Sequence, residues 1–127
     1  MMKIYLAGPI EGCSFDEIKV WRNYTRHQLS NYDCVEPRDN LIDSKEIFNS
    51  NKKDVENTDI TFAFLPKNIN FKRTSYGTIF EISYAYSIGK KVIIVSDDDY
   101  VHSHPVMKEI GVHFLTLDTA IKYLKNK

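Results

Sequence analysis

Glu81 is the residue whose surroundings demand an explanation. It stands in RTSYGTIFEISYA (73–85), flanked by Ile79, Phe80 and Ile82. The pattern continues through Tyr84, Ala85 and Ile88 to the apolar run Val92–Val95. A carboxylate amid so much apolar sequence loses solvation unless it is paired, wetted in a cleft or used chemically. The plain alternative is an exposed glutamate in a first helical turn, complementing the helix dipole. Just upstream, Lys67–Tyr76 is polar and carries Lys67, Lys72 and Arg73, a source of positive charge beside that carboxylate. A second chemical candidate is the acidic stretch Asp97–Pro105, where His102 and His104 flank Ser103. Its spacing does not match a metal motif, and no metal or other cofactor is expected.

These residues need a scaffold, and the pattern of the chain supplies one. KIYLA at 3–7 reads as a buried strand ending in Gly8-Pro9; glycine permits close approach of the backbone and proline fixes the turn. Ser14 and Glu17 form a capping box, and a helix follows to about Leu29 with Phe15, Ile18, Trp21, Tyr24 or Thr25, and Leu29 on one face. Cys34–Pro37 reads as a short second strand and Arg38–Asn40 as loop. Ser44 caps a helix from Lys45 to about Asn57, with Ile47, Phe48 and Val55 on one side. Asp59–Leu65 is a third strand, ended by Pro66. After a polar loop, Gly77 and Thr78 open the helix of Glu81, which stops at Gly89. Lys91–Ser96 is a fourth strand and Asp97–Pro105 a loop. Val106–Ile110 reads as a short helix, His113–Leu117 as a last strand, and Asp118 or Thr119 as the cap of a helix through Leu124.

Strands alternate with helices, and the third and fourth strands are apolar throughout. That predicts a single α/β domain spanning residues 1–127, a doubly wound, Rossmann- or flavodoxin-like parallel sheet sandwiched between helices. Ligands in such sheets bind at the carboxyl ends of strands, which brings the loops after Ala7, Leu65 and Ser96 together and sets Glu81 at the mouth of a crevice. The 127 residues suffice for one core, and the 17 basic residues balance the 17 acidic ones. Neutral balance gives no argument for a nucleic acid polymer or a membrane as partner. Two cysteines, Cys13 and Cys34, lack metal spacing and disulfide density, so a reduced, cytoplasmic setting is expected. The first strand is expected to start at Lys3, so no signal peptide is expected, and no apolar run has the length of a membrane span.

Taken together, KIYLAGP (3–9), Trp21-Arg22, DITFAFL (59–65), GTIFEISYA (77–85) and GKKVIIV (89–95) resemble the nucleoside 2-deoxyribosyltransferase family, in the family's order and at compatible spacing. GTxxEIxYA is the most specific piece, and the likeness thins after Asp97. The resemblance implies an enzyme that cleaves the N-glycosidic bond of a deoxynucleoside or its monophosphate. Glu81 would be the nucleophile at the anomeric carbon, forming a covalent glycosyl-enzyme, and a second base or water would accept the sugar. A carboxylate suits an oxocarbenium-like transition state, as in retaining glycosidases. Tyr5 matches an aromatic residue whose hydroxyl orients that carboxylate, while Gly8, Pro9 and Ile10 match a loop passing close to the substrate. Gly77 and Thr78 belong to the nucleophile's own motif.

Two positions depart from the transferase pattern. Asn51 stands where the family often has an aspartate, and Asp54, three residues on, can substitute on the same helical face. Ser75 stands where transferases commonly place another aspartate. The related deoxynucleoside 5′-monophosphate N-glycosidases are similar in having a serine there and a loop like GPIEG (8–12), so Lys72, Arg73 and Ser75 are candidate phosphate ligands. The partners expected are a small nucleoside or nucleotide and a free base. The resemblance also implies a homo-oligomer, at least a dimer. Base transfer is the first reading, hydrolysis of a monophosphate the second, and a nucleotide-binding module without turnover the third. Asp59 is read as structural, and Trp21, Tyr24, Phe62, Phe64, Phe80 and Tyr84 as core or subunit-contact aromatics.

Overall fold

The runs KIYLA, ITFAF and KVIIV are apolar on both faces because helices cover both faces of the sheet they form. The computed structural model describes residues 1–38 and 41–127. Its strands are β1 (Lys3–Ala7), β2 (Asp33–Val35), β3 (Ile60–Phe64), β4 (Lys91–Val95) and β5 (Val112–Phe114). They lie in the order β2-β1-β3-β4-β5 and every pairing is parallel. The helices are α1 (Phe15–Gln28), α2 (Ser44–Asn57), α3 (Lys67–Asn70), α4 (Tyr76–Ser87), α5 (Asp99–Ser103) and α6 (Leu117–Lys125). This is the expected α/β sandwich, with the flavodoxin-like strand order.

Side chains alternate along each strand, and the two faces of the sheet hold separate cores. On one, Ile4, Leu6, Phe62 and Ile93 pack with Trp21 and Leu29 of α1 and Ala120, Ile121 and Leu124 of α6. On the other, Tyr5, Ala7, Ala63 and Ile94 pack with Val55 of α2 and Ile82 and Ala85 of α4. The chain winds outward from β1 to β2, then reverses through β3. The carboxyl ends of β1 and β3, in register at Tyr5–Thr61 and Ala7–Ala63, are therefore the topological switch point where such sheets bind ligands. Among the described residues no helix is long and apolar enough to cross a membrane.

Several local expectations shift. The second strand is Asp33–Val35 rather than Cys34–Pro37, because pairing begins where the Asp33 N–H meets the Met2 carbonyl at 2.9 Å. Asp43, not Ser44, caps α2, accepting the Glu46 N–H at 3.2 Å. Thr116, not Asp118 or Thr119, caps α6, and Asp118 instead accepts from the Tyr24 hydroxyl. The last strand ends at Phe114, earlier than the expected His113–Leu117. The stretch expected as loop after Pro66 starts with a single helical turn, closed by the Asn70 N–H on the Pro66 carbonyl at 2.9 Å. The expected loop Asp97–Pro105 contains α5, capped by Asp98. Within 106–110, only a 3₁₀ turn at Met107–Glu109 forms. On α1, Thr25 rather than Tyr24 is buried, and Phe15 is exposed because it precedes the part of the helix that reaches the sheet. Residues 39 and 40 of the expected loop Arg38–Asn40 lie outside the described residues.

Candidate active site

β1 carries Tyr5 at its centre, completely buried on the α2/α4 face. α4 begins at Tyr76, so that Thr78, Glu81, Ile82 and Ala85 form its inward stripe at helical spacing. The two elements meet through one polar contact: the Tyr5 hydroxyl donates to a carboxylate oxygen of Glu81. Glu81 is 3% exposed. Loss of solvent raises its pKa to about 7, opposed first by the Tyr5 hydrogen bond and then by the positive charge of Arg22, with Asp54 adding a further upward push. Burial, then the neighbouring Glu81 carboxylate, pushes the Tyr5 hydroxyl far above the usual phenol range, so it stays a donor. Near neutral pH, Glu81 is thus a desolvated carboxylate that is substantially ionised and held by one neutral donor. Such a group can bond to an electrophilic carbon.

Asp54 lies on α2 near this pair, since its charge acts on both Tyr5 and Glu81. Its own pKa is raised, chiefly by burial. Its Oδ2 is buried with no hydrogen-bond partner among the described residues. The positive charge of Arg38 opposes that rise. A half-buried carboxyl with one unpartnered oxygen is suited to exchanging a proton with something that enters. Asn51, half-buried, stands one turn before it on the same helix.

Gly8 and Pro9 are buried, whereas Ile10 is exposed. The close approach expected at Gly8 is real but intramolecular: a Cβ there would lie 2.6 Å from Trp21 Cζ2 and 3.2 Å from the Phe64 carbonyl oxygen. Ile10 instead lines a small cleft of about 140 Å³ with Ile18, Arg22, Glu36 and Pro37. Ser75 occupies the N-cap position of α4 without capping it. Its Oγ lies 2.6 Å from Thr78 Oγ1. Gly77 is exposed and Thr78 buried. Lys72 and Arg73 are both exposed, but only Arg73 reaches across to the loop after β1. Gly12, at φ +77°, leaves room for it: a Cβ there would lie 2.5 Å from Arg73 Nη1. Glu11 pairs with the same guanidinium at 3.5 Å.

Asp59 is structural as expected, accepting the Lys3 N–H at 2.8 Å. His27 is on α1, His102 and His104 follow β4, and His113 lies in β5. His102 contacts His113 at 2.7 Å between Nδ1 atoms, and His104 Nδ1 accepts the Val106 N–H at 3.1 Å.

Arg22 is the functional-region residue that sequence reasoning passed over. It is 1% exposed and donates to the carbonyls of Leu6 at 3.2 Å, Gly8 at 3.1 Å and Ile18 at 2.8 Å. The signal was present in its spacing, four residues after Ile18 and three before Thr25 on the buried face of α1. In the sequence, Trp21-Arg22 stands out only as a motif.

The family model for nucleoside 2-deoxyribosyltransferases matches residues 4–117. Among solved structures, a conserved protein from Enterococcus faecalis is similar over 99% of this chain and 98% of its own, at 19% identity and a TM-score of 0.75. A 2-deoxyribosyltransferase of Bacillus psychrosaccharolyticus is similar over 95% and 91%, at 20% identity and 0.72. A CMP N-glycosidase of Clostridium botulinum is similar over 98% and 99%, at 16% identity and 0.66. At these identities the likeness is one of fold. No curated protein sequence matches the chain.

Proposed function

Because the chain belongs to the nucleoside 2-deoxyribosyltransferase family, an N-glycosyl-transferring or N-glycosidase enzyme of nucleosides or nucleotides, we propose that it transfers a 2-deoxyribosyl group between bases through a covalent intermediate on Glu81. The observation that carries this reading is the buried Tyr5–Glu81 pair at the switch point of the sheet. In the first half, a Glu81 oxygen bonds to the anomeric carbon as the N-glycosidic bond breaks. The base leaves with the bonding electrons and takes a proton, for which the unpartnered carboxyl of Asp54 is the candidate donor. Tyr5 keeps the carboxylate aimed while positive charge builds on the sugar. In the second half, a nitrogen of another base attacks the same carbon, the ester bond returns its electrons to Glu81, and the proton the incoming nitrogen loses goes back to Asp54. Asn51, Ser75, Gly77, Thr78 and the loop Gly8–Ile10 are the candidate substrate contacts.

A second reading, hydrolysis of a nucleoside 5′-monophosphate, is favoured by Arg73 seated against Gly12 with Ser75 close in sequence. Lys72 and Arg73 would then supply charge to the phosphate and water would accept the sugar. We further place the enzyme in the cytoplasm as a homo-oligomer. Exposed Ile42, Phe48, Phe71 and Tyr76 support a subunit contact.

The test is incubation of the purified protein with deoxynucleosides and their 5′-monophosphates, with and without a free acceptor base, followed by chromatography. A new nucleoside formed only with acceptor is the expected result. Free base released from monophosphates alone moves the assignment to hydrolysis. Glu81→Gln should lower either activity by about ten thousand-fold or more. Saturable binding with no product from any substrate would overturn both enzyme readings and leave a nucleotide-binding module.

A further inference from the structure

We propose that Arg22, which lies outside the reacting atoms, is the positioning residue that holds Glu81 as a free carboxylate and helps release the sugar from it in the second half of the reaction. The proposal rests on Glu81 being the nucleophile. It starts from an unusual burial. A guanidinium with 1% exposure belongs beside a carboxylate, yet among the described residues no acid lies within 4.0 Å of Arg22. Three of its five N–H donors go to the backbone carbonyls of Leu6, Gly8 and Ile18. Leu6 and Gly8 bracket the end of β1 immediately after Tyr5. The cation is therefore fixed at the strand end that presents the Tyr5–Glu81 pair, and its guanidinium carbon lies over Trp21, 4.6 Å from the ring centroid.

Arg22 holds the carbonyl of Leu6, and Tyr5, the preceding residue, holds Glu81 by its hydroxyl, so the acid that this cation acts on through space is Glu81. The groups acting on Glu81 are the Tyr5 hydroxyl from β1, Asp54 from α2 and Arg22 from α1. Of these only Arg22 is a cation, and it favours the ionised carboxylate. Burial lowers the pKa of Arg22 itself to about 10, so it is charged throughout the neutral range. Before reaction, Arg22 offsets part of the cost of burying the Glu81 charge, burial remaining the larger effect. When Glu81 forms the ester, its charge disappears and that attraction is lost. Breaking the ester carbon–oxygen bond returns the electron pair to Glu81 and restores the attraction. Arg22 thus makes Glu81 a better leaving group, at some cost to its basicity as a nucleophile.

The test has two arms on the full chain. In the first, protein labelled with ¹³C at glutamate carboxyls is titrated by NMR as wild type, R22Q, R22M and R22K, with E81Q assigning the Glu81 signal. Glu81 should titrate higher by about one pH unit or more in the neutral variants and within about half a unit of wild type in R22K. An unmoved Glu81 midpoint in a neutral variant that keeps the wild-type circular dichroism would overturn the proposal; two neutral variants are made so that loss of fold in one does not end the test. This arm uses no substrate, so its failure is distinct from failure of base exchange. In the second arm, protein in steady-state exchange is quenched and its intact mass measured. R22Q should carry sugar on at least about threefold more of its molecules than wild type, with R22K between them. Equal occupancy in R22Q and wild type would overturn the role in sugar release.

Discussion

β1 faces two different environments, and the contrast between them explains much of this molecule. Ile4 and Leu6 enter a core built mainly of apolar side chains from α1, α6 and the neighbouring strands, with Arg22 and Thr25 of α1 buried beside it. Tyr5 and Ala7, one residue away in each direction, enter a core topped by Thr61, Thr78, Glu81 and the orphan oxygen of Asp54. The first face is held mainly by the hydrophobic effect, its one buried charge being tied to backbone carbonyls. The second gives up part of that gain to keep a carboxylate dry. Because side chains alternate strictly along a strand, five residues serve both purposes, and a one-residue slip in register would exchange them. The faces touch where Arg22 and Trp21 of the apolar side reach the end of β1 and meet Gly8.

The contrast breaks if damage to the apolar face alters the chemistry. Leu124→Ala is the strongest probe: Leu124 is 1% exposed against the far side of that core. Its truncation should cost about 2–5 kcal/mol in denaturant unfolding, with the same cost at acid and neutral pH, and leave turnover per folded molecule unchanged.

Glu81→Gln is the opposite case. Glu81 ordinarily titrates at 4.5, and its pKa in the fold is about 7. The folded state therefore binds the proton more tightly, so stability is highest in acid and falls as pH rises from about 4.5 to about 7, by about 3 kcal/mol in all. Removing the charge should raise the melting temperature by about 5–10 °C near pH 8 and by little near pH 4. Calorimetry at the two pH values reads this directly. A gain independent of pH would mean that Glu81 is not the strained group on that face.

Tyr5→Phe sharpens the contrast within β1. It removes one hydrogen bond to a charged group, worth about 1.5–3 kcal/mol. Turnover should fall by about 10- to 100-fold. The Glu81 titration should move upward, because the Tyr5 hydroxyl holds it down. Stability should change less than in Leu124→Ala, since the ring stays in place.

The apolar face was the more legible in sequence. Continuous runs such as KVIIV announce a doubly covered strand, and the alternation with helices leaves few topologies. What sequence misplaced were ends: the caps at Asp43 and Thr116, and the short helices α3 and α5. These depend on which carbonyl is free to accept a particular N–H, a tertiary matter. At the site, Glu81 was visible because a charge interrupts an apolar helical stripe. Tyr5 was visible only through likeness to a family, because a tyrosine in a strand looks the same whether its hydroxyl meets a carboxylate or a carbonyl. Arg22 was overlooked, since an arginine on a helix is ordinarily solvated and its three carbonyl partners come from distant or non-adjacent residues. Asp54 was chosen for its spacing from Asn51. Its buried, unpaired oxygen could not have been read from spacing.

The smallest change is the one that tests the contact between the faces. Gly8→Ala adds a single methyl, 2.6 Å from Trp21 Cζ2, 3.2 Å from the Phe64 carbonyl oxygen and 3.3 Å from Arg22 Nη2. The tryptophan cannot withdraw easily: it stacks on Phe62 at 6.5 Å and leans on Phe64 at 5.0 Å. The loop must move instead, at a cost of about 1–3 kcal/mol, and it would take the Gly8 carbonyl away from Arg22. Stability and turnover should therefore fall together, unlike Leu124→Ala, which affects only the first, and Tyr5→Phe, which affects mainly the second. Gly77→Ala is the matched control for stability alone, because a Cβ there meets nothing within 4 Å of protein and alanine favours the helix. It should be neutral or slightly stabilising. If Gly8→Ala destabilises but leaves turnover and the Glu81 titration untouched, the strand end transmits nothing, and the two faces of β1 are independent.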